Sequence, residues 1–573
     1  MKISVEYLKK HHFVILLGIV VSLLCFLPQY WLERDLGDDY EGVYFSVTDS
    51  ENYYGSRVGE IYDGHLGLGN AHLAEYKVLP YLQPPLPEIV YAGFGKLVGW
   101  DRVEAILYGS RVVFPFILTL VIYSFVYSVS KSRLQSLLAT AFIILGQNLL
   151  LNPMAILDLA RGESKIFQAL VYSRPVSPQF HSIFFFGYLA LFWQWLETRT
   201  DKYLWWAAVL LGFLFYIYFY SWTFIFAFLA VLFLISFFKK DFILRKKLIL
   251  HAILALAIAI PYFYNLYQFY QLPQREFLGT LQGLVSGRSF VFSELLVAGT
   301  VFFFISFWRK FAAQFWFFTA LLLAGFIAIN QQIITGQELF SPHYHWYINA
   351  PLVGIVLVMG FFELLHLQKH KKLAVALVCL GLAGFVFNGY VAQRNTYEKN
   401  QKYFVADQRY ATLYDWLNLN TPKDSVVLTF SPYVGDNLPV YTHNNVFMSV
   451  QLMLNNTPEE RIKDAYYLRI YFLDVKADEA DEFFRGNPSI VADLLGGVAN
   501  RRKYGCRTCF PESEFGPVIE GYKKFLEQGI EKQLDKYRLD YLVEDTSSDI
   551  WPAGILDRYK KIAEVGEFVV YKK

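Results

Sequence analysis

Eleven apolar runs dominate the first two thirds of this chain, and each is close to the roughly 20 residues a helix needs to span a bilayer. They occupy 12–32, 106–128, 133–152, 181–197, 203–218, 220–238, 247–268, 290–307, 311–329, 346–365 and 372–389. Composition agrees. Hydrophobic residues make up 55% of the 573 positions and charged residues only 18%, against roughly 25% charged in a soluble domain. The charge is also uneven: 51 of the 102 acidic and basic residues fall within 390–573. The expected fold class is therefore a polytopic α-helical membrane protein. About 11 transmembrane helices and outer juxtamembrane helices fill 1–389, and a small extracytoplasmic α/β domain follows at 390–573. A formal net charge of +2 leaves no basic excess for nucleic-acid recognition.

Orientation comes from the short loops. With the N-terminus inside, the inner loops are SVSKSR, ETRTDK, KKDFILRKK, WRK and HLQKHKK, most of them basic, as the positive-inside rule requires. The first run follows Lys9 and Lys10 but lacks a convincing cleavage site near Pro28, so it reads as an anchor. The outer segments are then 33–105, 153–180, 269–289, 330–345 and the tail. The pair 203–238 is the least secure, because YIYFYSW must turn tightly between two short helices. One long tilted helix there would move the tail to the other side.

In the tail, RYATLYDWLNLNTP reads as an amphipathic helix closed by Pro422, followed by the strand DSVVLTF. NNVFMSV, a helix over 512–535, DYLVED and EFVVYKK continue the α/β pattern, without a nucleotide-binding glycine motif. Cys506 and Cys509 form a CxxC pair; outside the cell it reads as a local disulfide or a redox site, and it is too small for a four-cysteine zinc site.

The first outer segment, 33–105, is too long to be idle. Glu51 to Asp63 has the pattern of an amphipathic helix with Tyr54, Val58 and Ile61 on one side, and 86–99 gives a second; both suit a place flat on the membrane surface. Acidic residues gather ahead of them, among them Asp35, Asp38, Asp39, Glu41, Asp49 and Glu51. Asp49 and Glu51 stand at a helix start, where paired carboxylates can take a proton from a hydroxyl or hold a divalent metal such as Mg2+ or Mn2+. Taken alone, Asp49 or Ser50 is more commonly just the N-cap.

The stretch from Asp49 through Tyr53, Tyr54, Arg57 and Glu60 to Gly64 resembles the first outer loop of the polytopic GT-C-type glycosyltransferases. That loop has an acidic residue after the first span, then a tyrosine-bearing helix ending in glycine. The PPLP at 84–87 and the overall layout are similar too. The resemblance implies an inverting transfer of a sugar from a polyprenyl-phosphate donor to an acceptor hydroxyl at the outer face. Asp49 would be the general base, Tyr53 the helix tyrosine and Gly64 the terminal glycine. Ser50 stands where many members carry a second acid, which leaves Glu51 as candidate for that role.

The other outer loops supply phosphate-binding candidates. Arg161, Lys165 and Arg174 can grip a phosphate by fork geometry or as point charges, or simply snorkel at helix ends. Arg57 is another candidate. NQQIITGQELFSPHYHWYINAP adds Gln332, His343 and His345, which suit a phosphate or sugar pocket and equally an aromatic belt. The implied partners are a lipid-linked donor and a glycan, lipid or protein acceptor. The small tail and the absence of a retention signal fit the cell envelope, in a prokaryotic plasma membrane, better than an endoplasmic reticulum. The rival readings are a lipid or glycan transporter, which calls for charges buried mid-span, and a non-catalytic assembly protein.

Overall fold

The computed structural model describes residues 11–48, 50–154, 169–308, 313–548, 551 and 554–573. The chain is a polytopic, largely helical membrane protein with an α/β tail. Its principal helices begin with α1 (His12–Leu36), the first-loop helices α2 (Ser50–Tyr62) and α3 (Leu86–Val98), α4 (Val103–Ser130) and α5 (Arg133–Leu145). Then come α6 (Gln179–Thr198), α7 (Asp201–Leu214), α8 (Phe219–Phe238), α9 (Phe242–Ile258), α10 (Glu294–Phe307), α11 (Ala313–Ile329), α12 (Ala350–Leu364) and α13 (Lys371–Asp407). A two-stranded ribbon, β1 (Val285–Ser286) with β2 (Gln337–Glu338), clips the loops before α10 and α12 together.

The number of clear crossings is lower than the eleven expected. Among the described residues, five stretches are long and apolar enough: His12–Asp39, Val103–Ser130, Phe219–Phe238, Pro342–Leu364 and Lys371–Asn420. The helices α5, α10 and α11 are apolar but shorter. Helix α7 has only 14 residues, and α6 dilutes its apolar run with Gln179, His181, Tyr188 and Gln194. The expected span 133–152 breaks at Gly146. Beyond the break Asn148 accepts a 2.8 Å hydrogen bond from Asn388 of α13, the kind of interhelical pairing that amides need where water is scarce. The stretch 203–238 is two helices, α7 and α8, with the chain turning at 215–218. Close backbone approach holds the bundle's start together: a Cβ on Gly18 of α1 would stand 2.8 Å from the Phe116 ring of α4.

The tail contains α14 (Ala411–Asn420), β3 (Val426–Thr429), α15 (Pro432–Tyr441), β4 (Asn445–Val446), α16 (Glu459–Tyr471), α17 (Glu512–Glu527), β5 (Tyr541–Asp545), β6 (Lys560–Val565) and β7 (Phe568–Lys572). The sheet order is β4-β3-β5-β7-β6. Strand β3 runs parallel to β4 and β5, and β7 is antiparallel to β5 and β6. All four residues of β3 are buried, as expected of a central strand covered on both faces. Its side chains alternate: Val426 and Leu428 join a core with Ile462 and Tyr466 of α16, while Val427 joins Leu413 and Leu417 of α14. The helix expected over 512–535 is interrupted at Gly529, whose φ of +80° ends one helix before another begins at Ile530. Cys506 and Cys509 are joined as a disulfide.

The first-loop helix α2 does not lie on a membrane surface with one face exposed. Glu51, Arg57 and Glu60 are as buried as Val58 and Ile61, because α3 and α4 pack on one side of α2 and α15 packs on the other. Glycines make the second contact possible. A Cβ on Gly59 would sit 2.8 Å from the Pro439 carbonyl oxygen, and one on Gly55 would press on Val440 at 3.0 Å. The turn after helix α2 passes through Gly64, at a φ of +105° that suits glycine. In contrast, α3 keeps Leu97 and Val98 exposed at its end.

Candidate functional site

Burial of so many polar groups around α2 requires partners, and these partners define the site. Glu51 accepts from the Val47 amide at 2.9 Å through one oxygen and from Arg111 of α4 at 2.6 Å through the other. Both side chains of this pair are 0% exposed. Burial pushes the Glu51 carboxyl above its usual range, opposed by the Arg111 charge and the Val47 amide. Glu51 therefore bolts the start of α2 to the bundle.

Arg57 forms a second sealed pair. Its Nε donates to Glu88 of α3 at 2.6 Å, and its Nη2 donates to the carbonyls of Gln83 at 3.0 Å and Pro84 at 3.3 Å. Burial disfavours the charge, but Glu88 outweighs it and holds the guanidinium pKa above its ordinary value. The expected phosphate ligand is thus a clamp that holds the PPLP turn onto α2. Tyr53 is buried beside it and donates to the Leu454 carbonyl of the tail at 3.0 Å.

Arg174 is different. Its Nη1 donates to the Ser50 hydroxyl at 3.2 Å, its Nη2 to the Tyr347 hydroxyl at 3.1 Å and its Nε to the Ser177 carbonyl. The guanidinium lies 5.9 Å from the ring centroids of both Tyr54 and Tyr347. Its partners are neutral, and no carboxylate among the described residues pairs with it. Burial works against the charge, but the phenols of Tyr347 and Tyr54 raise its pKa on balance, so the cation persists.

Around Arg174 stands a group of rings from three helix ends. His181, at the start of α6, stacks on Tyr218 at 4.2 Å and meets Tyr347 at 5.6 Å. His343 lies 4.8 Å from Tyr220, 5.5 Å from Tyr347 and 6.0 Å from Tyr218. Both ring nitrogens of His181, the Nδ1 of His343 and the hydroxyl of Tyr218 are buried without a hydrogen-bond partner among the described residues. Buried polar atoms are seldom left so. A cluster of them around a cation without a counter-ion can receive an oxyanion with several acceptor oxygens.

The expected site residues divide accordingly. Arg174 and His343 come together, with Ser50 at the helix start. His345 lies two residues from His343, roughly 200° around a helix, and takes no part in these ring contacts. Gln332 donates to the Ser289 carbonyl at 2.8 Å and so braces the β1–β2 ribbon. Asp49, Arg161 and Lys165 lie outside the described residues. Among the described residues no group of three His, Cys, Asp or Glu side chains is placed to hold a metal ion. Arg111, His181, Tyr347 and the ion-paired trio of Glu60, Lys77 and Asp424 were not singled out as site residues from the sequence. Lys77 bridges Glu60 at 2.7 Å and Asp424 at 2.5 Å, tying the first loop to the tail. Arg111 was legible as a charge inside an apolar run, itself a signal of function.

No protein-family profile matches the chain, and no curated protein is similar to it in sequence. Solved structures do align with most of the chain. ArnT from Cupriavidus metallidurans in the apo state aligns over 98% of both chains at 13% identity, with a TM-score of 0.48. The same protein bound to undecaprenyl phosphate aligns over 97% of both, at 14% identity and a TM-score of 0.47. The archaeal oligosaccharyltransferase AglB from Archaeoglobus fulgidus, in complex with an inhibitory peptide and a dolichol-phosphate, covers 94% of this chain and 70% of its own at 12% identity, with a TM-score of 0.47. Likeness at this level carries no argument about residues or chemistry.

Proposed function

We propose that this protein is a GT-C-type glycosyltransferase that moves a sugar from a polyprenyl-phosphate donor to an acceptor hydroxyl at the outer face of the membrane. The observation that carries the reading is Arg174, a cation without a carboxylate partner among the described residues, set beside the ring nitrogens of His181, the Nδ1 of His343 and the Tyr218 hydroxyl, buried atoms that also lack a partner among those residues. That group suits the phosphate of a lipid-linked donor. The Ser50 contact puts it against the start of α2, next in sequence to Asp49.

In this reading Asp49 takes the proton from the acceptor hydroxyl as its oxygen bonds to the anomeric carbon. The bond from that carbon to the phosphate oxygen breaks, and the polyprenyl phosphate leaves with the electron pair, its charge held by Arg174. Such charge-assisted contacts strengthen as negative charge grows on the leaving oxygen. Glu51 is a positioning residue, holding the α2 start through Arg111. A Mg2+ or Mn2+ ion shared by Asp49 and Glu51 would have to compete with Arg111 and the Val47 amide for Glu51. Chelation followed by Mn2+ addition tests for such an ion.

The deciding experiment uses the full chain in lipid nanodiscs. Polyprenyl phosphate binding and sugar transfer are measured for the wild type, Arg174→Gln and Asp49→Asn. The expected result is weakened binding in R174Q, and in D49N retained binding with turnover lost. Unchanged binding in R174Q or intact turnover in D49N would overturn the reading.

A further inference from the structure

The tail has a second cleft, apart from the Arg174 cluster and independent of any sugar transfer. It opens at the carboxyl ends of the parallel strands β3 and β4, where open α/β sheets commonly receive ligands. Its enclosed space is about 20 Å³, the rest of the cleft being open to solvent, and its lining includes Thr429, Ser431, Met448, Ser449, Tyr466 and Arg469. The enclosed floor admits one small group.

Three features give the cleft its chemistry. Tyr466 is 3% exposed, and its buried hydroxyl has no hydrogen-bond partner among the described residues. Arg469 follows on the same face of α16; its charge is felt by the Asp436 carboxylate, whose pKa it helps hold down, but no carboxylate among the described residues reaches it at ion-pair distance. Ser431 caps the start of α15, accepting from the Val434 amide at 3.4 Å, so the positive end of that helix faces the same opening. Asp436, the nearby carboxylate, is already engaged: one oxygen accepts from Ser449 and from the Val450 amide at 3.1 Å. Met448, Val450 and Ala465 complete a mainly apolar wall.

We infer that this cleft binds a terminal oxyanion, a carboxylate or a phosphoryl group, carried on a short apolar stem, with Arg469 and the Tyr466 hydroxyl as its donors. The site adjoins the first loop. The short helix Val450–Leu454 begins at the Asp436 contact and ends at the carbonyl that receives the Tyr53 hydroxyl.

Saturation-transfer NMR on the full chain in nanodiscs tests it, with propionate and methyl phosphate as probes and uncharged propionamide as control. The expected result is a methyl signal for one or both anions and none for propionamide. The stronger of the two identifies carboxylate or phosphoryl as the preferred group. Arg469→Gln should weaken anion binding at least about tenfold, the usual scale for one charged hydrogen bond, and Tyr466→Phe by about threefold. No signal from either anion, an equal signal from propionamide, or full binding in both variants would overturn the inference. Because the Arg174 cluster also suits an oxyanion, the probes are run in the Arg174→Gln background as well, where the anion signal should persist and its loss would overturn the inference.

Discussion

Two arginines, the buried Arg57 and the half-buried Arg174, stand near the two ends of the first-loop machinery and have opposite surroundings. Arg57 has a carboxylate and two carbonyls within hydrogen-bond range. Arg174 has two hydroxyls and one carbonyl, and rings over its faces. A guanidinium already neutralised by a buried carboxylate gains little from a phosphate. One whose hydrogen-bond partners among the described residues are all neutral still has room for an anion. Position in the outer segments made both look like phosphate ligands, and only their partners separate clamp from receptor.

The largest test of this contrast is Arg57→Ala. It strands Glu88, whose second oxygen already lacks a partner among the described residues, and breaking such a pair costs about 3–5 kcal/mol. We expect poor folding, seen as a large fall in unfolding temperature, with partial recovery in R57A/E88A. Next comes Glu51→Gln, which weakens the hold on the buried Arg111. Transfer should fall about tenfold or more through misplacement of the α2 start, while the affinity for polyprenyl phosphate changes little. A parallel loss of binding would instead make Glu51 part of the donor site. Third, Arg174→Gln should leave the unfolding temperature nearly unchanged and weaken polyprenyl phosphate binding by about 1.5–3 kcal/mol, measured by titration. Destabilisation like that of R57A would erase the contrast.

The smallest effect concerns pH. Burial pushes the Asp436 carboxyl up to about 6, opposed by the bonds from Ser449 and Val450. Since the folded value lies above the unfolded one, the folded state keeps its proton longer. The contribution of Asp436 to stability therefore falls as pH rises from about 4 to about 6, by at most about 1.4 kcal/mol per pH unit. Asp436→Asn should lose that slope, so thermal unfolding of the wild type and the variant should diverge across this window.

Much of the layout was legible because it rests on local patterns. The apolar runs, the Pro422 stop after α14 and the buried VVL of β3 each depend on neighbours in sequence. The number of crossings was less legible, since Gly146 and the polar residues of α6 shorten runs that a window average joins. Partner choice was the least legible. Glu88 lies 31 residues from Arg57, and nothing in the helix pattern of α2 says which of several loop carboxylates closes on it. His343 and His345 looked equivalent as a pair, yet a helical backbone turns them apart. Lys77 meets Asp424 across a separation of 347 residues, which no spacing rule reaches.

The glycine-lined contact between α2 and α15 has a consequence for biosynthesis. Just beyond α15, Asn445 of β4 donates to Glu60 of α2 across 385 residues. At roughly 5–20 residues per second, a ribosome needs about 20–80 s to deliver the second partner after the first. Throughout that interval α2 exists without its cover, its backbone bared at Gly55 and Gly59 and its charges only partly matched. The first loop is thus among the earliest segments to be made and among the last to be finished, and a nascent chain stalled before residue 430 would carry an incomplete site.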